Sequence, residues 1–261
     1  MSDVPASLEN RLRQRQHLQS HPLSTIPSVD VRTSANIPNT PLAAAAVAFL
    51  LGSVFCFGLL IFLRAFTSFW WTNYQLGFFV AAWSTFHFGE FAVTAGWNLE
   101  KCSVDSFLLD NGSMYHIANG SAILEHLLTL YFTPSFKSWP WVSALGMAMV
   151  FFGQFMRSAA MIHASTNFSH ALASKKLDSH RLVTDGIYAW CRHPSYAGFF
   201  YWALGTQLVL QNPLCFILYF FLLWRFFYAR TRFEEKTLIK FFGDSYIQYR
   251  DNVGTKIPFI P

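Results

Sequence analysis

Residues 194–224 read PSYAGFFYWALGTQLVLQNPLCFILYFFLLW, 31 positions without a charged side chain. A single helix of that length rises about 46 Å, against a bilayer hydrocarbon core of about 30 Å. Two full spans need about 40 residues. Asn212-Pro213 sits near the middle and is a turn signal. The stretch therefore reads as a tight helical hairpin over 194–229, its second helix running past Arg225 towards Arg230.

Outward from the hairpin, the same length rule finds four more apolar segments. Leu42–Leu63 is uncharged. Phe69–Val93 carries His87 and Glu90, and Met114–Phe132 carries His116, Glu125 and His126. Ser138–Met156 is uncharged and continues through Arg157 to His163. The expected fold class is all-α: a polytopic helical membrane protein of about six spans. Residues 1–40 read as a disordered polar tail, 41–165 as four transmembrane helices, and 166–261 as a catalytic region of loop, hairpin and tail. Composition agrees. Charged residues make up 13% of the 261 positions, against about 25% in soluble domains. Hydrophobic residues make up 53%, and mean hydropathy is +0.29. Soluble, disordered, collagenous and disulfide-scaffold classes are excluded.

The net charge of +5 has an address. Under the proposed topology sixteen Lys and Arg fall on the side of the two termini and two, Arg64 and Lys137, on the other, with Arg157 inside a span. The positive-inside rule then places both termini in the cytosol. The excess is a membrane-topology signal rather than a nucleic-acid footprint. The first apolar run begins only at Leu42, so it reads as a span and not a cleavable signal. Cys56, Cys102, Cys191 and Cys215 match no metal spacing, and Cys56 and Cys215 read as small hydrophobes. His87 and Glu90, at i and i+3, suit interhelical hydrogen bonding better than a metal.

Segments 164–193 and 225–261 flank the hairpin and meet at one membrane face. They hold Asn167, His170, His180, Arg181, Tyr188, Arg192, His193, Tyr196, Arg230, Glu234 and Glu235, a concentration of polar groups that suits a cofactor site. Interfacial anchoring is the plainer alternative. Pro194 suits a helix first turn, whose free N–H groups can face an anion. Gly198 and Gly205 suit close helix packing. Arg230 and Glu234 are either a helical ion pair or a cation and carboxylate for an anionic substrate and a cofactor. Arg157 follows an uncharged run, where burial is expensive without a partner, and Glu90 or Glu125 is its candidate ion-pair partner.

Leu182-Val183-Thr184-Asp185-Gly186-Ile187-Tyr188, Arg192-His193-Pro194-Ser195-Tyr196-Ala197-Gly198 and Arg230-Thr231-x-x-Glu234-Glu235 resemble the isoprenylcysteine carboxyl methyltransferase family. So do Phe242-Gly243-x-x-Tyr246-x-x-Tyr249, Phe86-His87-Phe88-Gly89-Glu90, Asp105-Ser106-Phe107-Leu108-Leu109 and Ser165-x-Asn167-Phe168-x-His170. The match covers roughly residues 80–261. The Arg-His-Pro-x-Tyr pattern is shared with sterol reductases. The Asp105 and Asn167 segments are narrower.

The resemblance implies methyl transfer from S-adenosylmethionine to the C-terminal carboxylate of a prenylated cysteine in processed CaaX proteins, in the endoplasmic reticulum membrane. It implies cofactor contacts at His180, Arg181, Leu182, Val183, Tyr188, His193, Pro194, Ser195, Tyr196 and Glu234, and a substrate contact at Arg230. On the same resemblance Arg157, Asn167 and His170 are the expected catalytic residues, with Arg157 or Arg230 as the clamp on the substrate carboxylate. An NADPH-dependent sterol reductase-like enzyme, a phospholipid N-methyltransferase and, outside enzymes, a transporter are the alternatives. Neither the oligomeric state nor a preference between farnesyl and geranylgeranyl follows from the sequence.

Overall fold

The computed structural model describes residues 37–66, 68–170 and 181–261. Its helices are α1 (Pro41–Phe62), α2 (Tyr74–Trp97), α3 (Ser113–Phe132), α4 (Pro140–Ala164), α5 (Pro194–Leu210), α6 (Pro213–Phe242) and α7 (Asp244–Asn252). Short 3₁₀ turns join some of them, and the described residues contain no strand. The all-α membrane class expected from the sequence holds. Four helices, α1, α2, α4 and α6, are long and apolar enough to cross a bilayer. α3, which carries Asn119, Glu125 and two histidines, and the 17-residue α5 fall below that measure; α5 is buried at the centre of the bundle, whereas α3 lies on its outside with only Ala122 and His126 buried. Large apolar side chains such as Phe57, Phe151, Phe155 and Phe221 face outward, as lipid requires and water does not tolerate.

Helix boundaries follow local chemistry. Pro41, Pro140, Pro194 and Pro213 each occupy a first turn, where a missing N–H costs nothing. The second segment starts at Tyr74 rather than Phe69, because the Asn73 side chain accepts from Leu76 N at 2.9 Å and caps the helix there. The hairpin turns at Gln211-Asn212, one residue before the expected Asn212-Pro213, because Pro213 opens the second helix. Its second helix, however, runs twelve residues beyond Arg230, to Phe242. No breaker interrupts it until Gly243, whose φ of +56° favours glycine. The predicted tail over 1–40 lies outside the described residues as far as residue 36. Its end is ordered: Asn39 Oδ1 accepts from Val104 N at 3.0 Å, and Thr40 caps α1.

Two glycine pairs set the central packing. A Cβ on Gly153 would stand 2.5 Å from the Gly198 carbonyl oxygen, and one on Gly205 2.8 Å from that of Gly146. The α4 and α5 backbones therefore touch, in the small-residue manner of membrane helices. Gly198 and Gly205 take the packing role expected of them. Gly153→Leu is expected to force the helices apart and abolish recovery of folded protein. Size-exclusion chromatography in detergent checks this, and a monodisperse, active Gly153→Leu protein would contradict it.

The hairpin turn is locked by two charges. Lys137, which is buried, donates to Leu210 O (2.8 Å), Gln211 O (2.9 Å) and Asn212 Oδ1 (2.9 Å). Glu125 accepts from Leu214 N (2.9 Å) and Cys215 N (2.7 Å). A cation thus closes the C-terminus of α5 and an anion the N-terminus of α6, each matching the helix dipole. Glu125 is therefore not the partner of Arg157. His87 bonds Phe107 O and the Tyr115 hydroxyl, both at 2.7 Å, and His126 Nδ1 bonds Leu210 O at 3.0 Å. Both serve hydrogen bonding between elements. Cys215 is buried, and Cys56 lies on the outer side of α1 among exposed apolar residues such as Phe55 and Phe57.

Candidate active site

Arg192 organises the end of the molecule opposite the hairpin turn. Its Nε donates to Glu235 at 2.7 Å, Nη1 to Arg250 O at 2.9 Å and to Val253 O, and Nη2 to Pro261 O at 2.7 Å. One buried guanidinium therefore ties the loop before α5 to α6, α7 and the final residues. Tyr249 adds a bond to Tyr188 O at 2.7 Å. Cys191, whose thiol is pushed up to about 11 chiefly by burial, bonds Thr255 O and is chemically inert.

On this frame a charged cluster forms from residues far apart in the chain. The Tyr196 hydroxyl donates to Glu234 at 2.5 Å and accepts from Arg230 Nε at 2.8 Å. Arg230 also donates to His170 O at 2.6 Å and lies 5.4 Å from the Tyr196 ring centre. His193 stacks on Tyr196, with centroids 5.3 Å apart and an interplanar angle of 1°. Its Nε2 lies 3.2 Å from Glu235, and its Nδ1 3.7 Å from Glu234. Arg230 and Glu234 are thus not a simple helical ion pair; Tyr196 stands between them.

Beneath lies a second charged group. Arg157 grips both oxygens of the buried Glu90 through Nε and Nη2 and donates Nη1 to Ser195 Oγ at 3.0 Å. The Gly153–Gly198 contact makes this reach possible, because it brings the start of α5 onto the end of α4. Asn167 Oδ1 accepts from Arg181 N at 2.8 Å and so fixes the approach to the 181–193 loop. His170 is held neutral: burial lowers it to about 4, overriding the attraction of Glu90, with Arg157 and Arg230 adding to the depression. Protonating it in the folded state becomes costly as pH falls below the unfolded value of 6.5, so the associated loss of stability lies between about pH 6.5 and 4. The activity profile is expected to show no His170 inflection above about pH 5.5. A step near 6.5 that vanishes in His170→Asn would show otherwise.

These groups line one cavity of about 650 Å³. Arg181, Leu182, Val183, Tyr188, His193, Pro194, Ser195, Tyr196, Glu234 and Arg230 all border it, as do Arg157, Asn167 and His170. The structure thus brings together every described residue for which a cofactor, substrate or catalytic role was expected; Glu235 stands behind the lining, bonded to Arg192 and His193, and His180 lies outside the described residues. Away from the charges the cavity continues between α3, α5 and α6, lined by Ile117, Ala118, Phe199, Ala203, Leu218 and Leu222. Ile117 and Leu218 are half exposed, so the α3–α6 side faces lipid. Sequence reading gave Glu90 and Tyr246 no role in the site and placed Arg192 only among its clustered polar residues. Glu90, the one carboxylate in its span, entered the sequence reading only as one of two candidate partners for Arg157. The role of Arg192 is invisible without the fold.

Gly186 holds the loop against α4. Its φ is +54°, and a Cβ there would overlap the His163 ring. Gly186→Ala is expected to displace residues 181–188 and cut activity about tenfold or more, because misplacing positioning groups by about 1 Å costs on the order of a hundredfold. Kinetics on folded protein would test this; full activity would show that the loop absorbs the methyl group.

A cluster of fixed charges at a membrane surface, continuous with an apolar slot open to lipid, defines an intramembrane enzyme that joins a polar reactant to an apolar one. Residues 144–240 match the model of the isoprenylcysteine carboxyl methyltransferase (ICMT) family. The chain is 46% identical over 210 residues to the protein-S-isoprenylcysteine O-methyltransferase of Mus musculus, covering 80% of this chain and 72% of that protein. It belongs to this family and is a membrane methyltransferase that uses a methyl-donor cofactor. The enzyme of the same name from Schizosaccharomyces pombe is 43% identical over 242 residues, covering 85% of this chain and 98% of that protein. The solved structure of a eukaryotic intramembrane Ras methyltransferase, ICMT, superposes with a TM-score of 0.80 at 34% identity, covering 97% of this chain and 86% of that one.

Proposed function

We propose that the chain methylates the C-terminal α-carboxylate of prenylated cysteine in processed CaaX proteins, with S-adenosylmethionine as donor, in the endoplasmic reticulum membrane with both termini cytosolic. The observation that carries this reading is the single cavity with a charged end and a lipid-facing apolar end. A prenyl chain suits the apolar end and a carboxylate beside a polar cofactor the other. The names of the relatives point the same way.

The donor set fits the cofactor. Glu234 Oε2 accepts from Tyr196, while Oε1 has no partner among the described residues, leaving it to accept from ribose hydroxyls. His193, Tyr196 and Tyr188 offer aromatic faces, the first turn of α5 offers Ser195, and Arg181 is exposed. When bound, S-adenosylmethionine supplies a methyl group already activated on a sulfonium.

The protein's own contribution is to hold the acceptor. A C-terminal carboxylate has a pKa near 3.5 and is ionised at neutral pH, so no general base is required. What remains is positioning and exclusion of water. A guanidinium has five N–H donors. Arg157 commits all three of its nitrogens to Glu90 and Ser195. Arg230 commits Nε and Nη2, and Nη1 has no partner among the described residues. Arg230 is therefore the clamp in this reading. Arg157 positions Ser195, Asn167 positions Arg181, and the His170 carbonyl positions Arg230.

The deciding experiment is transfer of tritiated methyl from S-adenosylmethionine to a small prenylcysteine analogue by purified protein. Release of label as methanol in base identifies an ester. An alkali-stable N-methyl product, or calorimetry showing folded protein that does not bind S-adenosylmethionine, would falsify the proposal.

A further inference from the structure

The cytosol-directed half of α6 carries a second functional surface, turned away from the cavity. Arg225, Arg232, Lys236 and Lys240 are all exposed. At 3.6 residues per turn they fall within an arc of about 80° and extend over about 22 Å. Among the described residues no carboxylate lies within ion-pair distance of any of them. The acids of the same helix, Glu234 and Glu235, point elsewhere: Glu235 to Arg192 and His193, Glu234 to Tyr196. Sign is therefore sorted around the helix, with the acids directed to the catalytic groups and four cations outward. A helix needing only solubility would interleave both signs on its outer face.

We propose that this stripe binds the headgroups of anionic phospholipids. Two observations favour lipid over a soluble acidic partner. The stripe continues the lipid-facing side of the same helix, where Leu214, Ile217 and Phe221 are exposed and stand outside the cavity lining, and Arg225 follows directly on the uncharged run. Phe233, 58% exposed, lies between Arg232 and Lys236 and gives the cationic face an apolar residue able to enter the interface. Arg232 lies over the Tyr228 ring at 4.8 Å, which orients its guanidinium on the outer face. Juxtamembrane cations of this kind attract anionic lipid about fivefold per charge that reaches the headgroup layer, and the attraction fades within a Debye length. This inference stands independently of the methyl acceptor.

The test uses the full chain in phosphatidylcholine nanodiscs containing spin-labelled phosphatidylserine or spin-labelled phosphatidylcholine. The motionally restricted lipid fraction is then compared for wild type and for a variant combining R225Q, R232Q, K236Q and K240Q. The expected result is a severalfold preference for phosphatidylserine in wild type, lost in the variant and suppressed by high salt, with transfer to a small soluble acceptor unchanged in both. Equal restriction of the two lipids in wild type, or a preference that survives the four substitutions, overturns the proposal. So does binding of soluble poly-glutamate to neutral nanodiscs through the same four residues with no lipid preference, which assigns the stripe to a protein partner.

Discussion

Arg230→Ala is expected to lower kcat/KM by about a hundredfold to a thousandfold, the usual cost of removing a group aimed at the reacting charge, while leaving folded protein that still binds the cofactor. The reasoning is local. Arg230 is half-buried, anchored by the Tyr196 hydroxyl and the His170 carbonyl, and borders the junction of the charged and apolar parts of the cavity. Its loss removes the cation facing the acceptor and two hydrogen bonds at the cavity wall, but leaves the α4–α5 glycine contacts and the Arg192 network intact. Arg230→Lys keeps the charge without the fork and is expected to recover only part of the rate. Steady-state kinetics with a prenylcysteine analogue, alongside calorimetry with S-adenosylmethionine, give the two readouts. Near-normal turnover in Arg230→Ala would remove the clamp from the mechanism and return Arg157 to consideration.

Glu90→Ala is expected to act on the whole fold. It leaves the Arg157 guanidinium buried without its carboxylate, and breaking a buried pair costs about 3–5 kcal/mol. For a chain of this size that corresponds to a fall in Tm on the order of 10 °C. Glu90→Ala with Arg157→Met is expected to recover much of the stability, since replacing both charges by apolar groups is often neutral. It is not expected to recover activity, because Ser195 loses the donor that positions it. Thermal denaturation in detergent separates the cases. A double variant no more stable than Glu90→Ala would mean that the damage comes from lost packing of Glu90 rather than from the stranded charge.

Much of the bundle was legible because bilayer physics is one-dimensional. Length and apolarity locate helices, prolines open them, and Asn212-Pro213 breaks the only run too long for one span. The errors fell where a local cap or a missing breaker decides: Asn73 at the start of α2, and the run from Arg230 to Gly243 in α6. The candidate site was legible as a set of positions, since polar residues beside uncharged helices are few and form recognisable motifs. Their pairing was not. Arg157 had two candidate carboxylates in different spans, and only the Gly153–Gly198 contact, which brings α5 onto α4 beside Glu90, chooses between them. Likewise Arg192 reads as one more interfacial cation until α6, α7 and the final residues converge on it.

The amino-acid order alone therefore determined that this chain inhabits a membrane, where its helices lie and which residues are candidates for the chemistry, because those follow from local apolarity, charge and short motifs. Only the tertiary structure decided which charges neutralise one another, which guanidinium has a nitrogen without a partner among the described residues, and that the charged pocket and the lipid-facing slot are one cavity. Those outcomes depend on directions and distances between helices, and no property of a single segment contains them.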